Sequence, residues 1–214
     1  MYISDIYIIV KIFHKISLRV AFNRNICFIL IMSRLFIAVD LPSSIRRELI
    51  DVLSLFEGFK LKIVSPELIH ITLKFLGEVS DDMVPDIASS LDGIECMPFN
   101  ANIKGVGVFS NLRSPRVVWL GAEGNFKKLH EEVETSLSKL RFDKDKREFA
   151  AHATLARIKF MPKEQMKGLL YVLDKLKDVD LGEIRVDKVL LKKSTLTPDG
   201  PVYETIHEVL LGQK

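Results

Sequence analysis

Cysteine is scarce in this 214-residue sequence: Cys27 and Cys96 are the only two. They do not form a CxxC pair, so the sequence offers neither a disulfide framework nor a thiolate metal site of the usual spacing. An HExxH motif is also absent, which removes a common helical zinc signature. We therefore expect no metal, no cofactor and a reducing, cytoplasmic setting.

Long hydrophobic runs are lacking as well. None approaches the roughly 20 apolar residues that a membrane-spanning helix requires. Segment 1–31 is rich in Ile and Phe, but Lys, Arg and His interrupt it, and the apolar stretch from Ile26 to Met32 is short for a signal peptide. Because Met32 resembles a natural start, we expect 1–31 to be an N-terminal extension outside the functional fold and 32–214 to be a single domain. The alternative is an N-terminal helix that packs on the surface.

A large charge of one sign is missing too. The sequence has 31 Lys and Arg against 28 Asp and Glu, a formal net charge of +3. Segment 1–31 holds four of the 31 basic residues and one of the 28 acidic ones, which leaves 27 of each sign in 32–214. A neutral body argues against a non-specific grip on long nucleic acids, which needs concentrated positive charge. Any basic surface must therefore be local.

The sequence does contain one four-residue word written twice, His70–Leu73 (HITL) and His152–Leu155 (HATL). In both copies apolar residues alternate with polar ones, the pattern of a β-strand whose successive side chains point to opposite faces. Each strand therefore places an imidazole and a hydroxyl on one face, roughly 6–7 Å apart. The residues between them are expected to be buried on the other face.

The two words occupy equivalent places in the chain. A strand that begins at Arg34 precedes His70 by 36 residues, and one that begins at Arg116 precedes His152 by the same number. Each half reads strand, helix, HxTL strand, helix, which indicates a duplication. We predict one α+β domain with two lobes around a pseudo-two-fold axis. The two His/Thr pairs then meet across a groove.

Hydrophobic periodicity and turn residues predict the other elements. An apolar stripe at helical spacing follows Pro42. Gly77 is expected to end the first HxTL strand. The sequence further predicts helices over 124–140 and 162–177, and strands over 99–109, 183–193 and 202–210.

Two histidines and two threonines at one site suit proton transfer at a phosphoryl centre. Histidine titrates nearest neutral pH, so one imidazole can accept a proton while a second, protonated one donates. Threonine hydroxyls can donate hydrogen bonds to phosphate oxygens without adding negative charge. The catalytic candidates are therefore His70, His152, Thr72 and Thr154.

Two cations near the words are candidates for substrate binding. Lys74 is in strand register with His70 and Thr72. Arg157 is one residue out of register with the second word, so a bulge or a strand end must turn it inward. Either charge would offset the negative phosphate.

Other polar and aromatic residues are given ordinary roles. His130 and His207 lack a matching threonine, and we expect surface or structural positions for them. Ser194 and Tyr203 could reach a ligand but are interpreted as polar strand residues. Trp119 is expected in the core.

Longer motifs around the words resemble a known family. The paired HxTL words are similar to those of the two-histidine (2H) phosphoesterase superfamily. Within it, four segments in order resemble RNA 2′,3′-cyclic phosphodiesterases, also called 2′-5′ RNA ligases: RLFIAVDLP at 34–42, HITLKFLGEV at 70–79, HATLARI at 152–158 and STLTPDGPVYE at 194–204. The resemblance covers about Met32 to the C-terminus, and segment 1–31 departs from the family pattern.

The resemblance implies a bilobal α+β fold in which antiparallel sheets face a central cleft, with helices on the outside. It also implies metal-independent hydrolysis of a terminal 2′,3′-cyclic phosphate to a 2′-phosphate. His70 is then the proton donor to the leaving 3′-oxygen and His152 the acceptor that activates water, while Thr72 and Thr154 hold phosphate oxygens. The residues alone do not decide which histidine is the acid.

Other functions remain open for the same site. It could join RNA ends by a 2′-5′ linkage, or open a cyclic phosphate on a small nucleotide. A different class of protein, a non-catalytic RNA-end binder, could use the same groove. We expect the partner to be an RNA end or oligonucleotide with a 2′,3′-cyclic phosphate. We expect no membrane contact, and a monomer.

Overall fold

A computed structural model describes residues 17–23, 26–144 and 147–213, with side chains from Ile31 onward. The α-helices of this part of the chain are α1 (Ser43–Ser54), α2 (Val84–Leu91), α3 (Phe126–Ser136) and α4 (Lys163–Leu176). None of these described helices has the length and apolar character needed to span a bilayer. The strands are β1 (Ser17–Asn23), β2 (Ile26–Asp40), β3 (Lys62–Ile63), β4 (His70–Ser80), β5 (Phe99–Phe109), β6 (Val117–Glu123), β7 (His152–Arg157), β8 (Asp180–Val186), β9 (Lys188–Thr197) and β10 (Gly200–Leu210).

The strands join in one antiparallel sheet of order β10-β9-β2-β4-β7-β6-β5-β8, with β1 paired to β2 and β3 paired to β7. The order is symmetric about the centre: β2 lies beside β4 as β6 lies beside β7, and two further strands flank each pair. This arrangement confirms the predicted bilobal α+β fold.

Within the sheet, the central strands of the two lobes pair at one described residue pair. β4 and β7 are paired antiparallel at Ile71 and Ala153, which are the corresponding residues of the two HxTL words. The pseudo-two-fold axis therefore passes through this pair. Farther along β7, β3 takes the place of β4 at the same edge, with Lys62 opposite Arg157.

The hydrophobic core lies between the sheet and the helices. Alternate residues of the central strands are buried in one cluster together with the apolar stripes of all four helices. The stripe predicted after Pro42 is buried throughout: Ile45, Leu49, Val52, Leu53 and Phe56. Because the helices cover one face, the opposite face of the sheet is left for the HxTL polar residues.

Some predicted boundaries are wrong for local reasons. Gly77 does not end its strand, because its left-handed backbone (φ 74°) fits a bulge opposite Leu35 and β4 continues to Ser80. The strand predicted over 183–193 is two strands that change over at Asp187. The helix predicted over 124–140 ends at Ser136 and is followed by a 3₁₀ turn.

Part of segment 1–31 is described as strand. Residues 1–16 and 24–25 lie outside the described residues, while β1 pairs with the first part of β2. Met32 is the first residue of β2 that also pairs with β4, opposite Ser80. Whether 1–31 belongs to the functional fold stays a prediction.

Candidate active site

The two HxTL words lie side by side at the centre of the sheet. Their second residues, Ile71 and Ala153, are paired and buried, at 0% and 1% exposure, whereas the flanking histidines and threonines are half-buried. Because the strands are antiparallel, each histidine lies next to the threonine of the other word. The four polar side chains thus share one face of the sheet, opposite the helices, which is called the cleft face below.

Each histidine ring is held by a backbone carbonyl two residues earlier. Nδ1 of His70 lies 2.7 Å from the carbonyl oxygen of Leu68, and Nδ1 of His152 lies 2.7 Å from that of Ala150. A carbonyl can only accept, so Nδ1 carries the proton and donates in both rings. The rings are therefore oriented alike, and Nε2 of each is left for proton transfer.

An arginine holds the turn that supplies one of these carbonyls. Leu68 ends the 3₁₀ turn Pro66–Leu68. Arg46 of α1 donates to the carbonyl oxygens of Leu41 at 2.8 Å and Pro66 at 3.1 Å, and also to that of Glu67. The acceptor of the His70 ring is thus fixed to the helix that follows β2.

His70 is enclosed by aromatic rings. It stacks on Phe36 of β2 at 4.9 Å between centroids, and the ring of Tyr203 of β10 approaches edge-on at 5.3 Å. Burial lowers the pKa of His70, and the hydrogen bond to Leu68 and the carboxylate of Asp40 act in the opposite direction. The ring is therefore a stronger acid than an exposed imidazole.

An ion pair stands beside this ring. Asp40 is opposite His70 across β2 and β4, and its carboxylate accepts from Nζ of Lys192 at 2.6 and 2.8 Å. Lys192 is buried, at 8% exposure. The negative charge of Asp40 raises the pKa of His70 while the positive charge of Lys192 lowers it, both less than burial does. The pair therefore sets part of the proton affinity of the ring.

His152 has different neighbours. The ring of Phe109 in β5 meets it edge-on at 4.6 Å, and Trp119 of β6 lies 5.5 Å beyond Phe109. The residue opposite His152 is Gly121, where the first lobe has Asp40. The two histidines thus share an anchor but differ in their electrostatic surroundings.

The two hydroxyls are available to a ligand. Thr72 and Thr154 are half-buried on the cleft face. Within the described residues, neither hydroxyl forms a side-chain hydrogen bond. Each can therefore donate to an anionic oxygen held between the histidines.

A β-bulge in β7 turns Arg157 to the cleft face. Thr154 and Ala156 are opposite adjacent residues of β6, so Leu155 is the extra residue. Leu155 and Ala156 are both buried, and Arg157 is exposed on the face of Thr154. Burial raises the pKa of Tyr203, and the charge of Arg157 partly opposes this rise. Of the two possibilities that the sequence leaves for Arg157, a bulge or a strand end, the bulge is present. The charge of Arg157 acts across the cleft.

The matching bulge in β4 turns Lys74 the other way. Thr72 and Lys74 are opposite adjacent residues of β2, so Leu73 is the extra residue and Lys74 points to the helices. Lys74 is 2% exposed, and its Nζ donates to Glu134 at 2.6 Å and to the carbonyl of Asp143 at 2.7 Å. The prediction that Lys74 shares a face with His70 is wrong, because strict alternation does not survive a bulge.

The remaining sequence candidates lie outside the site or at its edge. His130 is buried, with its ring stacked on Phe149 and Nδ1 3.0 Å from the carbonyl oxygen of Leu73. Nε2 of His207 lies 2.7 Å from a carboxylate oxygen of Asp92. Trp119 is not a core residue as expected: it is opposite Thr154 on the cleft face, and its buried Nε1 has no hydrogen-bond partner among the described residues.

Several residues around the histidines escaped the sequence reasoning. Asp40 and Lys192 are 152 positions apart, so no local pattern joins them. Phe36, Phe109 and Tyr203 read as strand residues. The alternation of polar and apolar residues predicts which face of the sheet each ring lies on. Which rings contact a histidine depends on the order of the strands in the sheet.

Comparison with known proteins shows which proteins this chain is similar to. The model of the LigT-like phosphoesterase family matches residues 39–119 and 121–203. The RNA 2′,3′-cyclic phosphodiesterase of Methanocaldococcus jannaschii is 40% identical over 176 residues, 82% of this chain and 99% of the relative. A Thermus thermophilus crystal structure is similar with a TM-score of 0.72 and 31% identity, over 85% of this chain and all of that one. Escherichia coli LigT complexed with 3′-AMP has a TM-score of 0.69 and 25% identity, over 85% and 99% of the two chains.

Proposed function

Because this chain belongs to the LigT-like phosphoesterase family, we propose that it hydrolyses the 2′,3′-cyclic phosphate at the end of an RNA to a 2′-phosphate. One observation carries the proposal: two histidines are anchored alike through Nδ1, and each lies beside the threonine of the other word. The activity named for the relative from Methanocaldococcus jannaschii, which matches over 99% of its length, supports the substrate class.

The reaction needs one acid and one base on opposite sides of the phosphorus. Nε2 of His152 takes a proton from water, whose oxygen forms a new bond to phosphorus. The bond between phosphorus and the ribose 3′-oxygen breaks, and protonated His70 gives its Nε2 proton to that oxygen. The products are a 3′-hydroxyl and a 2′-phosphate, and the histidines exchange their protons with solvent before the next turnover. Such transfers typically contribute about 10²–10⁴-fold each.

The other groups at the site act on the phosphate oxygens. The hydroxyls of Thr72 and Thr154 lie on the cleft face and donate to the two non-bridging oxygens. Arg157 offers a permanent positive charge on the same face. These donors stabilise the negative charge that builds up on the phosphoryl oxygens as water attacks.

The surroundings of His70 suit an acid. Burial lowers the pKa of this ring, so its proton leaves readily once it is in place. The carboxylate of Asp40 favours the protonated form, and a bound phosphate adds a further negative charge beside the ring. His70 is therefore protonated more readily in the substrate complex than in the free protein.

The setting of the reaction stays a prediction. We propose a cytoplasmic monomer that acts on RNA ends without a metal ion. Among the described residues, no group of three or more His, Cys, Asp or Glu side chains could hold a metal ion. A chelator such as EDTA should therefore leave the rate unchanged. Activity that EDTA abolished and one particular metal restored would contradict the proposal.

The decisive experiment follows the products of a dinucleotide that ends in a 2′,3′-cyclic phosphate, hydrolysed in ¹⁸O-labelled water. One ¹⁸O atom should enter the phosphate, and phosphorus NMR should show a 2′-phosphate. A 3′-phosphate would mean that the bond to the 2′-oxygen breaks and would overturn the placement of the acid. Binding without turnover would assign the groove to an RNA-end binder, and joined strands without ¹⁸O would assign it to a ligase.

A further inference from the structure

Four exposed cations lie at the end of β7 that leads away from the histidines. Lys60, Lys62, Arg116 and Lys159 are all exposed, and none forms a salt bridge with another described residue. They are called the basic strip below. The exposed ring of Phe160 lies among them, with Nζ of Lys60 at 5.3 Å from its centroid.

Backbone contacts hold three members of the basic strip, Lys62, Arg116 and Lys159, to β7 and the loop that follows it. Lys62 of β3 is opposite Arg157 of β7. The guanidinium of Arg116 donates to the carbonyl oxygen of Lys159 at 2.7 Å, and the amide of Ile158 donates to that of Arg116 at 2.8 Å. The strip is therefore a fixed surface of the sheet and its following loop.

The strip is continuous with the candidate active site. Cross-strand neighbours share a face, so Lys62 lies on the cleft face beside Arg157. Arg157 follows Thr154 by three residues, roughly 10 Å along a strand. A chain that is held at the threonines and leaves along β7 therefore meets Lys62 first and then Lys159 and Phe160.

At the corresponding end of the other lobe the positive charge is offset: Arg34, the counterpart of Arg116, is exposed but lies 3.9 Å from the carboxylate of Glu78. In sequence register, the residue of β4 that corresponds to Arg157 is Phe75, which is 67% exposed and lies 6.2 Å from the ring of Phe36. Gly77 and Glu78 then stand where the second lobe has Lys159 and Phe160. A polyanion is therefore attracted along β7 and not along β4.

We propose that the basic strip binds the phosphodiester backbone of the nucleotides that precede the cyclic phosphate, so that the preferred substrate is a single-stranded RNA of several nucleotides. The inference rests on the function proposed above. A 2′,3′-cyclic phosphate ends the 3′ side of an RNA, so every other nucleotide lies upstream and must leave the cleft. Unpaired cations beside an exposed aromatic ring provide what single strands need, charge for phosphates and a surface for a base. The residue balance of 32–214 is neutral, so this local surface is where such binding is expected.

The test compares a cyclic-phosphate dinucleotide with an RNA of about ten nucleotides that has the same end. The variant is K60Q/K62Q/K159Q, which leaves Arg157, the histidines and the Arg116 hydrogen bond in place. For the longer RNA, kcat/KM should fall about tenfold or more, and the slope of log kcat/KM against log salt should become shallower by up to about 2, or 0.7 for each lost phosphate contact. For the dinucleotide, kcat/KM should stay within about twofold.

Two further variants sharpen the test. K127Q/K128Q removes exposed lysines of α3, on the helix side of the sheet. This control should leave kcat/KM unchanged for both substrates. F160A should lower kcat/KM about tenfold for the longer RNA and leave kcat/KM for the dinucleotide unchanged. Equal losses on both substrates in K60Q/K62Q/K159Q, or no loss on the longer RNA, would overturn the proposal.

Failure of the proposed function can be told apart from failure of the strip. If the wild-type protein turned over neither substrate, the proposed cyclic phosphodiesterase activity would be refuted. Fluorescence anisotropy with the same RNA carrying a 2′-phosphate end would still measure binding, and K60Q/K62Q/K159Q should bind it about tenfold more weakly. If this variant bound the RNA with unchanged affinity, the proposal that the basic strip binds RNA would be refuted, whatever the enzyme assay shows.

Discussion

The two halves of the site begin from the same word and end in different surroundings. In both, a histidine donates from Nδ1 to a carbonyl two residues earlier, and a bulge follows the threonine. Yet His70 lies between Phe36 and Tyr203 and faces Asp40, whereas His152 touches Phe109 and faces a glycine. The backbone is duplicated, and the shell of side chains around it is not.

In the proposed mechanism, this difference distinguishes the two groups that transfer protons. Two histidines in identical surroundings would have the same proton affinity, and neither would be set apart as the acid. Burial of His70 lowers its pKa, while Asp40 and a bound phosphate favour its protonated form. The sequence repeat supplies the proposed pair of proton-transfer groups. The unrepeated surroundings of His70, burial first and then Asp40 and Lys192, set this ring apart from its counterpart.

Removing either histidine should have the largest effect. H70A and H152A should each lower kcat by about 10²–10⁴-fold, because each removes one of the two proton transfers. The double variant should lose less than the product of the single losses, since the groups act as a unit. Single-turnover rates with the cyclic-phosphate dinucleotide measure these losses.

The matched control is H207A. His207 forms a hydrogen bond with Asp92 and lies outside the site, so removing its imidazole should leave kcat near normal. His130 is a poorer control because its buried ring contacts Phe149 and Leu73 and its removal should also lower stability. Wild-type activity in H70A or H152A would refute the two-histidine site.

The threonines should matter less and nearly equally. T72V and T154V each remove one neutral hydrogen-bond donor while both proton transfers survive. One neutral hydrogen bond contributes up to about 1.5 kcal/mol, so kcat/KM should fall by about tenfold in each, less than for the histidines. Valine preserves the branched shape of the side chain on the strand. A loss confined to one threonine would show that the phosphate sits off the pseudo-two-fold axis, and a loss as large as that of H70A would contradict the assigned roles.

Changing Asp40 should test which histidine is the acid. D40N removes a charge that raises the pKa of His70, so that pKa should fall further. If His70 is the acid, kcat/KM should drop at neutral and alkaline pH, where the protonated ring is the minor form, and stay unchanged at acidic pH. If His70 were the base, kcat/KM would instead rise at acidic pH and stay unchanged at alkaline pH.

The opposite shift should follow from removing the cation of the same pair. K192M takes away a charge that lowers the pKa of His70, so kcat/KM should rise at alkaline pH. NMR titration of the His70 ring in both variants checks the direction of each pKa change. Shifts of the same sign in D40N and K192M would show that the ion pair acts through packing and not through charge. The limbs of each pH profile belong to the coupled pair of histidines and are fitted as such.

Sequence reasoning reached the strands and the repeat because both follow local rules. Alternation around each HxTL word predicts a strand, and the equal spacing of 36 residues predicts that the lobes correspond. It did not reach Lys74, because a bulge shifts alternation by one residue without changing the sequence pattern. For Arg157, the sequence indicates a bulge or a strand end only because the charge of this residue suggests a role at the site. The structure has a bulge there, at the same place in β7 as in β4.

The surroundings of the histidines could not be read from the chain. The pairing of Asp40 with Lys192 depends on β9 lying beside β2, a contact between distant segments. The expectation that Trp119 lies in the core is wrong: its ring lies over Gly107, where an added Cβ would be 2.3 Å from it. A glycine in a neighbouring strand makes room for an indole on the cleft face, and only the strand register shows that the two meet.

The smallest effect on activity is expected from removing residues 1–31. Their described part forms β1 and the start of β2, an extension of the first lobe. β2 begins with residues 26–31, which pair with β1, whereas its counterpart β6 begins at Val117. Pairing with β4 starts at Met32, and the hydrogen bond from Ser33 to Asp81 at 2.6 Å lies on the retained side. A protein that starts at Met32 should therefore keep every described contact of the site. Its kcat/KM should stay within about twofold of the full chain, as expected for loss of a terminal segment whose described residues form the pairing of β1 with the start of β2. Thermal unfolding and the dinucleotide assay measure both properties. Loss of folded protein, or a pH profile altered as in D40N, would show that the extension supports β2 and with it the surroundings of His70.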